Sequence, residues 1–237
     1  MQMDIYGQAL LDQYKGKLKS KLWLYNSYGH PEDMPVDIFF RSEAGMPEME
    51  IIAMDLCRGK TLDIGAGVGS HALILQSKRI DVTALEISAK ACEIMKHRGV
   101  KKVIHADILK YDSDKFNTIL LLMNGIGLCG DIPGLINFLD KIKDLLLPKG
   151  QLIFDSSDIA YLYKPDDFIA SKYYGEISYQ YEYQKVKGNW FKWLYVDFKT
   201  LKTIAEKAGW QCEMIYEDDM DQYLVRMVLL NEINENK

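Results

Sequence analysis

The 237-residue sequence predicts an α/β fold: a doubly wound, mostly parallel, seven-stranded sheet. Three observations predict it. Short, near-continuously apolar runs alternate with helical patterns through the middle of the chain, as strands covered on both faces and their right-handed crossovers require. A glycine-rich loop joins the first of these runs to a helix. The last two apolar runs have no helix between them, so they form an antiparallel pair at one sheet edge.

The elements follow in chain order. Leu10, Tyr14, Leu18 and Leu22 recur at helical spacing, so the segment ahead of the core reads as a helical lid. Pro47 opens the next helix, Glu48 and Glu50 sit at its positive end, and Gly59 follows it. Met49, Ile52, Ala53 and Leu56 share one face of that helix. Strands follow at 60–65 and 81–86, then a helix capped by Ser88 and ended by Gly99. Strands at 101–106 and 116–123 precede a helix striped by Leu135, Phe138, Leu139, Ile142 and Leu146, which stops before Pro148 and Gly150. Residues 151–155 form the fifth strand. An antiparallel hairpin is inserted next, with arms 176–186 and 190–196 about a turn at Lys187-Gly188-Asn189. A helix over 198–208 ends at Gly209, and strands at 211–216 and 222–230 meet at the acidic turn Glu217-Asp218-Asp219.

Composition excludes several classes. A chain with 48% apolar and 27% charged residues has ample material for a core, which argues against disorder. The net charge of −5 disfavours general binding to nucleic acid, and Lys185, Lys187, Lys192, Lys199 and Lys202 read as a solvated surface. The run Ile119 to Met123 is far shorter than the roughly 20 residues of a membrane helix. The N-terminus has no leader pattern. Cys57, Cys92, Cys129 and Cys212 lack zinc or redox spacing, and the four histidines form no ligand pattern. No metal site is expected, and isolated thiols fit a reduced, cytoplasmic setting.

The strongest local signal is Asp63-Ile64-Gly65-Ala66-Gly67-Val68-Gly69. Glycines let a turn tighten and let a ligand approach the backbone amides at a helix N-terminus. The spacing is G-x-G-x-G, and Asp63 precedes it by two residues. A dinucleotide site seats a pyrophosphate there, which a carboxylate would disfavour. Asp63 instead suits a ligand with an amino group, such as S-adenosylmethionine. Glu86, with Ile87 after it, ends the second strand, where a carboxylate can accept both hydroxyls of a ribose. Asp107 ends the third strand and can accept from an adenine amine while Ile108 packs on the ring; it can equally be a turn cap.

With these motifs, residues 45–160 resemble the class I S-adenosylmethionine-dependent methyltransferases. The resemblance implies a Rossmann-like methyltransferase fold in which Gly65, Ala66 and Gly67 line the cofactor loop. It implies that Glu86 holds the ribose, and that Asp107 and Ile108 line the adenine. Leu122-Met123-Asn124-Gly125, ending the fourth strand, then lies beneath the sulfonium and faces the substrate. Asn124 and Gly125 replace the Pro-Pro-aromatic signature of DNA and some protein methyltransferases, which shifts the expectation away from those acceptors. The chain then divides, as one domain, into a lid (1–45), a cofactor-binding core (46–160), the hairpin (161–197), and a terminal helix with edge strands (198–237).

Methyl transfer from a sulfonium depends mostly on positioning in a dry enclosure, so no base has to be visible. Arg41 can clamp the methionine carboxylate or be a surface arginine. Tyr28 and His30 lie in the lid, with His30 as a candidate base. The Tyr179/Tyr181/Tyr183 face and Trp190, Phe191 and Trp193 can roof a cationic or planar acceptor, or form a core or a homodimer surface. The expectation is transfer to a nitrogen or oxygen of a small molecule. The rivals are an NAD-dependent oxidoreductase, a non-catalytic S-adenosylmethionine-binding protein, and an RNA or protein methyltransferase.

Overall fold

The computed structural model describes residues 3–163 and 172–230, so the parts of the expected segments over 1–2, 164–171 and 231–237 lie outside the described residues. The chain opens with α1 (Ile5–Tyr14), β1 (Leu22–Asn26) and β2 (Glu32–Met34). The core follows as α2 (Glu48–Asp55), β3 (Lys60–Ile64), α3 (Ser70–Ser77), β4 (Asp81–Glu86), α4 (Ala89–Arg98), β5 (Val103–His105), β6 (Phe116–Leu121), α5 (Ile132–Asp144) and β7 (Leu146–Ser157). Then come β8 (Glu176–Tyr183), β9 (Val186–Lys187), β10 (Phe191–Leu194), α6 (Phe198–Lys207), β11 (Trp210–Glu217) and β12 (Gln222–Leu229). No helix among the described residues is long and apolar enough to cross a membrane.

The main sheet has seven strands in the order β11-β12-β7-β6-β3-β4-β5. The five from β3 to β7 are mutually parallel, and β12 runs antiparallel between β7 and β11. This is the doubly wound sheet that the alternating pattern predicts. Its strand order reverses between β3 and β6, which opens a crevice at the carboxyl ends of the strands. Two apolar layers hold it. One joins β6 and β7 to α5 and α6 through Phe116, Phe138, Leu139, Leu201 and Trp210. The other joins the opposite face to α2, α3 and α4 through Met49, Ala53, Ala72, Leu75 and Met95. Each buried Leu, Met or Phe among them contributes about 1.5–3 kcal/mol in transfer terms.

Helix ends follow the sequence chemistry. Ser88 Oγ accepts from Ala91 N at the start of α4, and Gly99 closes that helix at φ +96°. Asp131 caps α5 by accepting from Gly134 N, and Asp197 caps α6 by accepting from Thr200 N.

The N-terminal reading needs correction. The helix ends at Tyr14, where Lys15 and then Gly16, at φ +65°, turn the chain. Leu18 is exposed, and Leu22 is fully buried but in β1. Only part of the lid is therefore helical. β1 pairs antiparallel with β2 and with β8, and β8 pairs with β9 and β10. The lid and the hairpin thus build one five-stranded antiparallel sheet.

The hairpin turn also differs from expectation. It lies at Gln184-Lys185, both at positive φ (+51° and +63°), and not at Lys187-Gly188-Asn189. Two successive left-handed residues are the geometry that matches strand twist in a two-residue hairpin. Residues 188–190 interrupt the second arm. Leu146 opens β7 and does not extend α5. In α2 the buried residues are Met49, Glu50, Ala53 and Met54, so the helix turns an acid inward.

Candidate active site

The glycine loop begins directly after β3. Gly65, Gly67 and Gly69 take φ of +68°, +54° and +81°, values that L side chains rarely adopt. At Gly69 a Cβ would stand 2.8 Å from Val100 Cγ2, so this glycine lets α3 pack closely. At Gly65 a Cβ would meet nothing within 4 Å, so its peptide faces open space. Gly65 N and Ala66 N donate to Leu85 O, which holds the loop against β4. Glu86, at the end of β4, accepts from Gly67 N (2.9 Å) and Ser88 N (2.8 Å), one on each oxygen. Each oxygen keeps a second lone pair for a hydroxyl. Burial raises the Glu86 pKa, and the backbone donors offset part of that.

Asp63 is 2% exposed, and its Oδ2 is buried with no hydrogen-bond partner. Burial pushes its pKa to about 6, with His71 pulling it down and Glu86 adding to the rise. Beside it lies a charged chain that the sequence did not disclose. Arg41 Nη2 donates to Glu50 Oε1 (2.7 Å), and Glu50 Oε2 meets His71 Nε2 at 2.7 Å. Arg41 Nε is buried and unpartnered. The same Nη2 stands 3.6 Å from Met123 Sδ, so Arg41 reaches the end of β6.

At that end Met123 and Asn124 take φ of +61° and +54°. Asp155, on β7, accepts from Asn124 N at 2.7 Å, and Ser157 Oγ donates to Asn124 Oδ1 at 3.0 Å. Asp155 Oδ1 is buried without a partner, and burial pushes the carboxyl to about 7 while the Asn124 amide pulls it down. Gly125 follows at the start of a short 3-10 turn, Gly125–Cys129.

At the ends of β4 and β5 the structure separates the residues expected to line the adenine. Ile87 is 69% exposed and flanks Glu86. Asp107 Oδ1 accepts from Leu109 N, so this carboxylate caps a 3-10 turn. Ile108 is buried in the core below the sheet ends, whereas Leu109 is 53% exposed. Leu109, one residue later, is the exposed apolar side chain of this turn.

The five-stranded sheet covers this crevice. The Tyr6 hydroxyl lies 3.6 Å from where a Gly67 Cβ would stand, and the Tyr6 ring stacks on Tyr181 with centroids 5.4 Å apart. Tyr181 meets Phe191 at 5.1 Å, and Phe191 meets Trp193 at 6.2 Å. The Trp193 indole fills the space a Cβ would need at Gly127. An aromatic strip thus runs from the glycine loop to the end of β6. Tyr28 hydrogen-bonds Glu32 (2.8 Å) and approaches the Tyr179 hydroxyl (3.4 Å), which approaches that of Tyr195 (3.2 Å). Tyr183 stands apart. It is buried against α1 and donates to Asp12, so it fastens the helix and does not line the crevice. His30 is an exposed turn residue whose carbonyl accepts from Asn26. Trp190 is 54% exposed beyond β9.

This arrangement is shared with known proteins. The crystal structure of an S-adenosylmethionine-dependent methyltransferase from Bacteroides fragilis in complex with S-adenosyl-L-homocysteine is 37% identical, with TM-score 0.89 over 95% of this chain and 94% of that one. A methyltransferase-domain family model matches residues 42–214. The chain belongs to the S-adenosylmethionine-dependent methyltransferases. More distant structures share the fold. They include the CcbJ methyltransferase of Streptomyces caelestis (14% identity, TM-score 0.61, 80% of this chain and 98% of that one) and the sugar N-methyltransferase KedS8 of Streptoalloteichus sp. (16%, 0.57, 85% and 95%). No curated protein matches.

The methyltransferase's cofactor is S-adenosylmethionine, and the crevice fits it on its own evidence. A buried acid and a partly buried guanidinium each keep one buried polar atom unpartnered, and a glycine opens the backbone between strand ends. A ligand carrying both an ammonium and a carboxylate satisfies both. The oxidoreductase reading is set aside with it. Five residues here were not singled out as site residues from sequence: Tyr6, Glu50, His71, Leu109 and Asp155. The one available signal was an acid, Glu50, three residues before Ala53 on a helix that buries that side.

Proposed function

We propose that this methyltransferase methylates a small amine, with a small alcohol as the alternative acceptor, enclosed beneath the five-stranded sheet. The observation that carries this is the aromatic strip Tyr181–Phe191–Trp193, anchored over both the glycine loop and the end of β6. Aromatic faces attract a cationic amine, and the acid on the same rim, Glu32, adds to that preference. Fixed cations on the neighbouring strands are already paired, Lys192 with Asp131 and Lys187 with Glu182.

In this reading Asp63 and Arg41 hold the amino-acid end of the cofactor, Glu86 the ribose, and Ile87 and Leu109 the adenine, with Asp107 shaping the turn. Ala66 and Gly67 supply backbone. The bound cofactor supplies an electrophilic methyl on a sulfonium whose leaving group is a neutral thioether. The residues around it orient the acceptor and exclude water. Asn124 and Gly125 form the floor, with the Asn124 amide turned by Ser157 and free at its nitrogen to donate. Tyr28 and Trp193 bound the acceptor space. The amine loses its proton to solvent before it attacks, so it needs no protein base, and methyl transfer returns to the nitrogen the positive charge that the aromatic faces favour. His30, at an exposed turn, takes no part.

The test is a panel of small amines and alcohols incubated with enzyme and cofactor, read by mass spectrometry as the gain of one CH2. Trp193→Ala should raise the acceptor KM while cofactor affinity is retained. Methylation of RNA or protein with no small-molecule product would overturn the reading.

A further inference from the structure

We propose that Glu50 and His71 are positioning residues for the amino-acid end of the cofactor, through a series of alternating charge, Asp63, His71, Glu50 and Arg41, in which buried Glu50 bridges His71 and Arg41. The inference rests on the proposed placement of that end against Asp63 and Arg41.

Glu50 is 4% exposed and His71 8%, and they meet at 2.7 Å. The other Glu50 oxygen takes Arg41 Nη2, also at 2.7 Å. Glu50 therefore sits between two cations that repel one another, and it fixes both. His71 carries its charge onward toward Asp63. Buried ion pairs are weak devices for stability, because desolvation offsets their attraction. This one is incomplete at both ends. Arg41 Nε has no acceptor, and Asp63 Oδ2 has no donor. A folding role leaves both orphans unexplained, whereas an ammonium at Asp63 and a carboxylate at Arg41 complete the alternation of sign. The four residues come from the segment before α2, from α2 itself, from β3 and from α3. The two Glu50 contacts therefore tie the Arg41 segment, α2 and α3 together before ligand arrives, which lowers the ordering cost of binding.

The test uses two ligands that share adenosine and thioether: S-adenosylhomocysteine, and 5′-methylthioadenosine, which lacks the amino-acid end. Affinities are measured by titration calorimetry for the full chain and for Glu50→Gln, His71→Gln, Arg41→Gln and Asp63→Asn, with folding checked by circular dichroism. His71→Gln keeps a side-chain donor for Glu50 and removes the charge, so it serves if Glu50→Gln does not fold. All four should weaken S-adenosylhomocysteine by about tenfold or more and leave 5′-methylthioadenosine within about twofold. Loss of both ligands together in the Glu50 and His71 variants would mean a merely structural cluster and overturn the proposal. An unchanged ratio in those two, with the ratio changed by Arg41→Gln and Asp63→Asn, would overturn it while preserving the placement. An unchanged ratio in all four would overturn the placement as well.

Discussion

Met123 and Asn124 hold a conformation that costs about 1–3 kcal/mol at each non-glycine residue, so something nearby must impose it. Asp155 and Ser157 do so, one through the Asn124 amide N–H and the other through its side-chain oxygen. In the proposed reading the Asn124 side chain, held at its oxygen by Ser157, forms part of the crevice floor. Asn124→Gly separates geometry from chemistry, because glycine takes φ +54° freely. Its thermal midpoint should stay within a few degrees of the parent, since relieved strain offsets one lost hydrogen bond. Turnover of an identified acceptor should fall about tenfold or more. A variant as active as the parent would show that the side chain touches nothing that reacts. At this scale the sequence was readable where a residue type has one use. Gly65, Gly67 and Asp63 announce a backbone cradle with an acid beside it. Asp155 was not readable, because within the apolar strand Gln151–Asp155 nothing marks an acid as buried and facing a neighbouring strand's end.

The five-stranded sheet touches the core through a few close approaches, and Gly127 is the tightest. Any side chain there must displace the Trp193 indole. Gly127→Ala should cost about 1–3 kcal/mol by overpacking, a fall of several degrees in thermal midpoint, and should raise the acceptor KM more than the cofactor KM. Gly127→Ala with Trp193→Phe should recover part of the loss. A second fastening joins two helices. Ser88 Oγ accepts from Ala91 N and donates to Asp4 Oδ2 at 2.6 Å, while Asp4 Oδ1 caps α1 at Gly7 N. Ser88→Ala removes a cap and this clasp, so denaturant unfolding should show about 1–2 kcal/mol less stability. Elements built from near neighbours in sequence were legible: the Ser88 cap, the crossover helices and the antiparallel edge pair. β1 was not, since Leu22 and Trp23 pair on one side with Met34 and Asp33 of the three-residue β2, and on the other with Tyr183 and Glu182, far along the chain. The turn at Gln184-Lys185 was hidden for another reason. Gly188 nearby carries the stronger turn signal, yet the left-handed residues are not glycines.

Across the whole molecule the buried charges give stability a direction with pH. Burial lifts Asp63 from 3.8 to about 6 and Asp155 from 3.8 to about 7. The folded state keeps these protons longer than the unfolded chain does, so both groups weaken folding as pH rises from about 4 to about 7. For His71, burial acts downward, but the Glu50 hydrogen bond and the Asp63 charge outweigh it and raise the pKa above 6.5. Its contribution is complete below 6.5 and is lost as pH climbs through the raised value. Glu50 works at the other end. Burial acts upward, yet His71 and Arg41 hold it below 4.5, so its contribution fades as pH falls under that value. Together these place the stability maximum of the ligand-free enzyme near about pH 5, with a decline toward about pH 8. In the proposed placement S-adenosylhomocysteine brings an ammonium to the ionised Asp63, which offsets the Asp63 part of that decline. The thermal midpoint gained at saturating ligand should therefore be larger at about pH 8 than at about pH 5, and Asp63→Asn should flatten the difference. Unfolding scans across this range, with and without ligand, decide the matter. An equal gain at both ends in the parent enzyme would mean that the ammonium sits away from Asp63, and the charge chain through His71 and Glu50 would lose its terminus.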